Sequence, residues 1–236
     1  MMDKMENSIN RRTALAGGLG VALGSFLTAP PVLGEENEGG EKKRARRPRK
    51  RPVREETWKY VPLDPAQCAQ RAYDLYDPWG CMYCAVKAGI LEYAAAIEAE
   101  NPELAESCRA FPFIALRSGK TGCGAMESLC GAVNGAGFFM GLFVKDYGEL
   151  CQLIKQVGEF VKETPMPQFV PADDKHPHFV QSVSHSILCK ENTTAWLSKD
   201  PSQEHKMLRP ERCKRYTGTV LGYAVELLND YFSKES

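Results

Sequence analysis

One stretch limits what this chain can fold into. Residues 122–141 read Gly-Cys-Gly-Ala-Met-Glu-Ser-Leu-Cys-Gly-Ala-Val-Asn-Gly-Ala-Gly-Phe-Phe-Met-Gly. Each glycine inside a helix costs about 1 kcal/mol against alanine, so a compact body must approach this backbone closely enough to offset the loss. Neighbouring helices or a small inorganic group satisfy that requirement. Gly131 and Gly135 are four apart, as are Gly137 and Gly141, so a helix here carries its small residues on one face. Glu127 and Asn134 interrupt the apolar run, which argues against a membrane helix at this point.

The stretch holds two of nine cysteines, Cys123 and Cys130. An odd number leaves at least one thiol outside any intramolecular disulfide set, so the compartment matters. The N-terminus bears on it. Arg11-Arg12 precedes a weakly apolar segment, residues 14–33, containing Gly17, Gly18, Gly20 and Gly24. An arginine pair before such a run predicts a twin-arginine export signal over residues 1–34 and a periplasmic location. That route carries folded proteins, so a thiol-rich cargo points to a metal centre assembled in a reducing compartment rather than to disulfides. Residues 35–56 form a charged linker, acidic at 35–41 and then basic from Lys42 to Arg54. Its like charges oppose compaction, and it reads as a disordered spacer. No aromatic residue interleaves the basic run, so no nucleic acid is expected as a partner. Membrane contact is expected only through the signal or this linker.

Residues 57–236 read as one helical domain. Val86, Ile90, Tyr93 and Ile97 recur at helical spacing after Cys81-Met-Tyr-Cys84, and Leu150, Leu153, Ile154, Val157, Phe160 and Val161 make a second stripe. Asp64-Pro65 predicts a helix start, and the Pro-rich segment from Thr164 to Pro177 predicts a loop. A helix is expected over Val180–Cys189, irregular chain over Asn192–Lys206, and a last helix over Pro210–Phe232. No strand alternation is evident, so the class is all-α, with about six helices.

Cys81 and Cys84 make the single Cys-x-x-Cys pair. Ala85 follows, not His, which removes covalent c-type haem attachment. Thiol–disulfide exchange by Cys81 and Cys84 and a structural zinc site both remain open on these residues. Cys68, Cys108, Cys123 and Cys151 have no assigned role, and His176, His178 and His185 read as exposed or packed side chains.

Four elements in order carry a resemblance. They are Cys84-Ala-Val-Lys-Ala, Cys130-Gly-Ala-Val-Asn-Gly135, Ser186-Ile-Leu-Cys189-Lys-Glu, and Cys213 at the head of the last helix. Together they resemble the redox-active family named for its motif, C_GCAxxG_C_C, which includes the iron–sulfur region of split-Soret cytochromes c. The resemblance spans Tyr73 to Leu228. It implies an iron–sulfur cluster, [2Fe–2S] or [4Fe–4S], held by Cys84, Cys130, Cys189 and Cys213, with Gly131 allowing close approach. Cys81 and Cys123 are the nearest substitutes. It further implies an electron carrier working with a redox partner protein, rather than an enzyme with its own substrate, and a homodimer.

Overall fold

The computed structural model describes residues 56–234. The expected signal, 1–34, and all but the last residue of the expected linker, 35–56, lie outside the described residues. The described part is all-α, with eight α-helices, one 3-10 helix and two isolated antiparallel bridges. Among these residues no helix is long and apolar enough to cross a membrane.

The chain enters through an extended strap. Trp58 stacks on Tyr93 with ring centroids 5.4 Å apart, and its amide donates to the Leu142 carbonyl. Asp64 then caps α1 (Pro65–Asp74) by accepting from the amides of Ala66 and Gln67. Gly80, at φ 84°, turns the chain into α2 (Cys81–Ile97), a conformation that glycine adopts without strain. The predicted stripe Val86, Ile90, Tyr93 and Ile97 is buried, and so are Ala85, Ala88 and Ala94. The helix is covered nearly all round, as a central helix must be.

Asn101 caps α3 (Pro102–Arg109), and the 3-10 helix Phe113–Gly119 follows. Next come α4 (Gly131–Gly141) and α5 (Tyr147–Glu163), the latter capped by Asp146. The last three are α6 (Cys189–Leu197), α7 (Gln203–Met207) and α8 (Arg209–Ser233). Helix α8 packs on α1, α2, α4 and α5, while α2 packs on α1, α3, α4 and the 3-10 helix. The core therefore lies between α2, α4 and α8.

The helical glycines are clearance for this packing. A Cβ on Gly89 would lie 2.7 Å from the Phe139 ring, and one on Gly135 would lie 2.9 Å from the Ala85 Cβ. Phe139 is fully buried and held edge-on by Phe143, so the ring has nowhere to retreat.

The structure departs from sequence expectation in three places, which also raises the helix count above six. The glycine–cysteine stretch is not helical from its start. Thr121, Gly122, Cys123, Gly124 and Ala125 all have positive φ, making a left-handed turn held by bonds such as Glu127 amide to Thr121 carbonyl at 3.1 Å. The segment 180–188 is extended rather than helical, because its backbone pairs with other segments. The polar segment 192–206 is largely helical. Trp196 is fully buried, with its indole donating to the Val180 carbonyl at 2.8 Å, and this anchors α6.

Two glycine substitutions separate packing from propensity. Gly89→Ala should destabilise by roughly 1–3 kcal/mol despite the better helix former, because the core is overfilled. Gly158→Ala in α5, whose nearest neighbour is Ile187 Cγ2 at 3.7 Å, should stabilise by up to about 1 kcal/mol. Urea unfolding midpoints read both.

Candidate metal centre

Two stretches of backbone far apart in sequence lie side by side. The Cys130 amide donates to the Ile187 carbonyl at 2.9 Å, Cys189 to Ser128 at 2.7 Å, and Lys190 to Glu127 at 3.1 Å. This antiparallel ladder, with Leu129 opposite Leu188, sets Cys130 beside Cys189 at the start of two helices. Asn192 locks the second segment. Its side-chain amide donates to the carbonyls of Ser186 at 2.7 Å and Leu188 at 3.2 Å, and its oxygen accepts from Ser184 Oγ at 3.0 Å.

Three thiols sit at helix beginnings and a fourth lies one turn inside a helix. Cys81 is the first residue of α2, Cys130 is the N-cap of α4, Cys189 is the first residue of α6, and Cys213 lies five residues into α8. None of these four helices has a side-chain cap, whereas α1, α3, α5 and α7 are capped by Asp64, Asn101, Asp146 and Ser202. The first amides of a helix have no intrahelical acceptor, and the N-terminus carries positive partial charge. The uncapped ends are therefore suited to an anion, and each brings a sulfur with it.

The thiols are in electrical contact. Cys81 is pushed up to about 12, first by donating its hydrogen bond to Cys130, while Cys213 and Tyr76 donate to it. Tyr76 Oη lies 3.6 Å from Cys81 Sγ. Cys213 is raised well above the ordinary thiol value by its bond to Cys81 and by burial. Cys189 is raised, chiefly by burial and then by Cys213. Cys130 alone is lowered. The Cys81 hydrogen bond is the largest cause, burial opposes it, and the Ala132 amide and Arg212 add to it. The Cys81 hydrogen bond, the Ala132 amide and Arg212 thus favour the thiolate form of Cys130 over that of its neighbours. Among the described residues no three His, Cys, Asp or Glu side chains close around a single ion; the sulfurs meet in pairs.

Of the residues singled out in the sequence, Cys130, Cys189 and Cys213 come together. Cys84 lies one turn deeper in α2, fully buried, with its thiol donating to the Cys81 carbonyl at 3.3 Å. Burial, then Cys81, raises it well above the ordinary value. It is Cys81 that touches Cys130 and Cys213. A Cβ on Gly131 would meet the Gly119 carbonyl at 2.6 Å and the Met82 amide nitrogen at 3.1 Å, so this glycine admits the start of α2. Cys68 and Cys108 are buried elsewhere in the core, Cys151 is half-buried on α5, and Cys123 is exposed on the left-handed turn. His185 is exposed, at φ 53°, with its amide bonded to the Lys162 carbonyl rather than turned to the thiols.

Sequence reasoning missed Tyr76, Asn192, Arg212 and Tyr216. The last two share a face of α8 with Cys213 and Thr217 by helical spacing, and that spacing was the available signal. Arg212 and Tyr216 are both buried, and Arg212 Nε and Tyr216 Oη have no hydrogen-bond partner. Two orphaned donors beside four sulfurs fit an anionic, sulfur-rich group.

A protein family and a known cytochrome resemble this chain. A family model described as "Putative redox-active protein (C_GCAxxG_C_C)" matches residues 83–227, which include Cys84, Cys130, Cys189 and Cys213 and stop just short of Cys81. Split-Soret cytochrome c of Desulfovibrio desulfuricans is 28% identical over 179 residues. That match covers 73% of this chain and 61% of the cytochrome, so the chain spans less than two thirds of that relative's length. A solved structure of split-Soret cytochrome c from the same organism, described for its novel iron centre, superposes with a TM-score of 0.64. It is 26% identical and covers 75% of this chain and 72% of the solved one.

Thiol accessibility gives a direct check. Under native conditions an alkylating reagent should modify Cys123 first and leave Cys130 unmodified, because burial shields it despite its lowered pKa. Mass mapping after timed labelling reads the order.

Proposed function

We propose, from the premise that the chain belongs to the C_GCAxxG_C_C redox-active family, that it is an electron-transfer protein carrying an iron–sulfur cluster. The carrying observation is the convergence of Cys81, Cys130 and Cys189, each at a helix N-terminus without a side-chain cap, with Cys213 one turn into α8. A bound cluster would supply one-electron redox chemistry at a potential set by its ligands, hydrogen bonds and burial.

Cys130, Cys189 and Cys213 are three of the proposed ligands. Contact with Cys130 and Cys213 favours Cys81 as the fourth, over the deeper Cys84. The free amides at the starts of α2 and α4 would donate to sulfur. Sulfurs that meet in pairs suit a centre of more than one iron. The chain's own part is to gather thiolates, neutralise their charge and exclude water from all but one side. Cys81 and Cys130 are buried, whereas Cys189 and Cys213 are half-buried, so electrons would enter and leave nearest Cys189.

Thiol–disulfide exchange by Cys81 and Cys84 has less support. Exchange needs an accessible thiol of depressed pKa, and both of these are buried and raised. The arginine pair of the N-terminus supports export to the periplasm, where a partner protein would exchange electrons with the domain.

Anaerobic purification tests the reading. The wild-type protein should hold iron and acid-labile sulfide and absorb broadly in the visible, with bleaching by dithionite. Cys130→Ser and Cys81→Ser should lose iron, while Cys84→Ser and Cys151→Ser keep it. A colourless protein without iron, or one holding only zinc, would end the proposal. Iron lost from Cys84→Ser but kept in Cys81→Ser would reverse the choice of fourth ligand.

A further inference from the structure

We infer that Arg212 is the built-in counter-cation of the bound centre and sets its reduction potential, with Tyr216 as the platform that fixes it. The inference rests on the iron–sulfur reading above and names a residue that no cysteine motif includes.

Arg212 is 2% exposed, yet among the described residues no carboxylate lies within ion-pair distance of it. The other buried arginine of α8 shows how this protein handles a buried cation. Arg215, also 2% exposed, pairs with Asp174 and with Glu211. Arg212 has instead one terminal nitrogen on the Asn192 carbonyl at 3.2 Å and on its side-chain oxygen at 3.4 Å. The other terminal nitrogen lies 4.0 Å from Cys213 Sγ, and Nε has no partner. The guanidinium stacks over the Tyr216 ring, 4.4 Å from its centroid.

A guanidinium keeps its proton under all ordinary conditions, so its charge is fixed. Burying it without a neutralising partner costs several kcal/mol. Besides Asn192 and the Tyr216 ring, the group it faces is the Cys213 sulfur. Neutral thiols do not neutralise a cation, but thiolates around a metal centre do. The Arg212 site is therefore incomplete in the metal-free protein and matched in the loaded one. Asn192 ties this cation to the ladder beside Cys130 and Cys189, so the same side chain positions both charge and ligands.

Reduction adds one electron to the centre and, since Arg212 does not titrate, no proton at this residue. A fixed positive charge beside the centre favours the more negative, reduced form. Removing the charge should shift the potential downward.

The experiment uses the full chain loaded anaerobically with iron and sulfide. Iron and sulfide content are measured first, then the midpoint potential by dye-mediated dithionite titration followed by electron paramagnetic resonance. Arg212→Gln, which keeps a hydrogen-bond donor and loses the charge, should load iron and titrate at a clearly lower potential. Arg212→Lys should stay near wild type. Tyr216→Phe keeps the stacking ring but loses the hydroxyl, and should load iron with a smaller downward shift than Arg212→Gln. Arg215→Gln, further along α8, controls for general loss of helix stability and should leave the potential unmoved. Iron retained by Arg212→Lys but not by Arg212→Gln also supports a charge requirement. Equal potentials in the Gln, Lys and wild-type proteins overturn the inference while leaving the iron–sulfur reading intact, as does equal loss of iron from both Arg212 variants. Absence of iron from the wild type overturns the iron–sulfur reading and this inference with it.

Discussion

The site depends on a three-bond ladder between residues 127–130 and 187–190. Helix α4 begins immediately after one strand of it and α6 at the end of the other, so the ladder fixes two helix starts against each other. Strand pairing does this better than helix packing would. A helix–helix contact leaves rotation and sliding to side chains, whereas backbone bonds set register to the residue. That register is needed where two thiols from distant parts of the chain must meet. The left-handed turn at 121–125 belongs to the same device. Left-handed backbone costs a non-glycine residue roughly 1–2 kcal/mol, and Thr121, Cys123 and Ala125 all adopt it. Its bonds, including Ser128 amide and hydroxyl to the Gly122 carbonyl, hold the strand that leads to Cys130.

The protein caps its helices by two different rules. Helices away from the thiols use Asp, Asn or Ser, a choice worth about 1 kcal/mol each. Helices that begin at the thiols forgo it. Uncapped amides, a buried arginine without a carboxylate and an orphaned tyrosine hydroxyl all disfavour the metal-free fold. The same groups all favour an anion in their midst. An anion bound among them would return that stability, and metal affinity and folding would then be linked.

Much of the helical frame was legible in the sequence, because helix periodicity and Asp or Asn caps act over a few residues. The stripes on α2 and α5 and the start of α1 lie where local chemistry puts them. The extended 180–188 segment was not legible. Its apolar residues suit a helix, and only a partner strand far away in sequence makes it extended. Helices α6 and α7 were missed for the converse reason, since burial of Trp196 and His205 carries a polar segment that periodicity alone does not mark. The order of the cysteines led to Cys130, Cys189 and Cys213. The same order named Cys84 with Cys81 as its substitute, and order alone carries no weight between them, because residues three apart share a helix face and differ only in depth. Arg212 carries no local signal of burial, since a charged residue in a terminal helix is usually solvated.

The glycines that first drew attention do not touch the site in the way their sequence suggests. Gly131 and Gly135 admit Met82, Ala85 and the Gly119 carbonyl, so they bring α4 onto the first turns of α2. This close crossing is what sets Cys81 against Cys130. Larger residues at these positions would push the two helix starts apart before they reached any bound group. The glycines are therefore a requirement of the site acting at one remove, through the distance between two helices. With α2 and α4 closed on that side, Cys81 and Cys130 are sealed, and solvent meets the thiol network only at Cys189 and Cys213. Packing on one side and access on the other follow from Gly131 and Gly135.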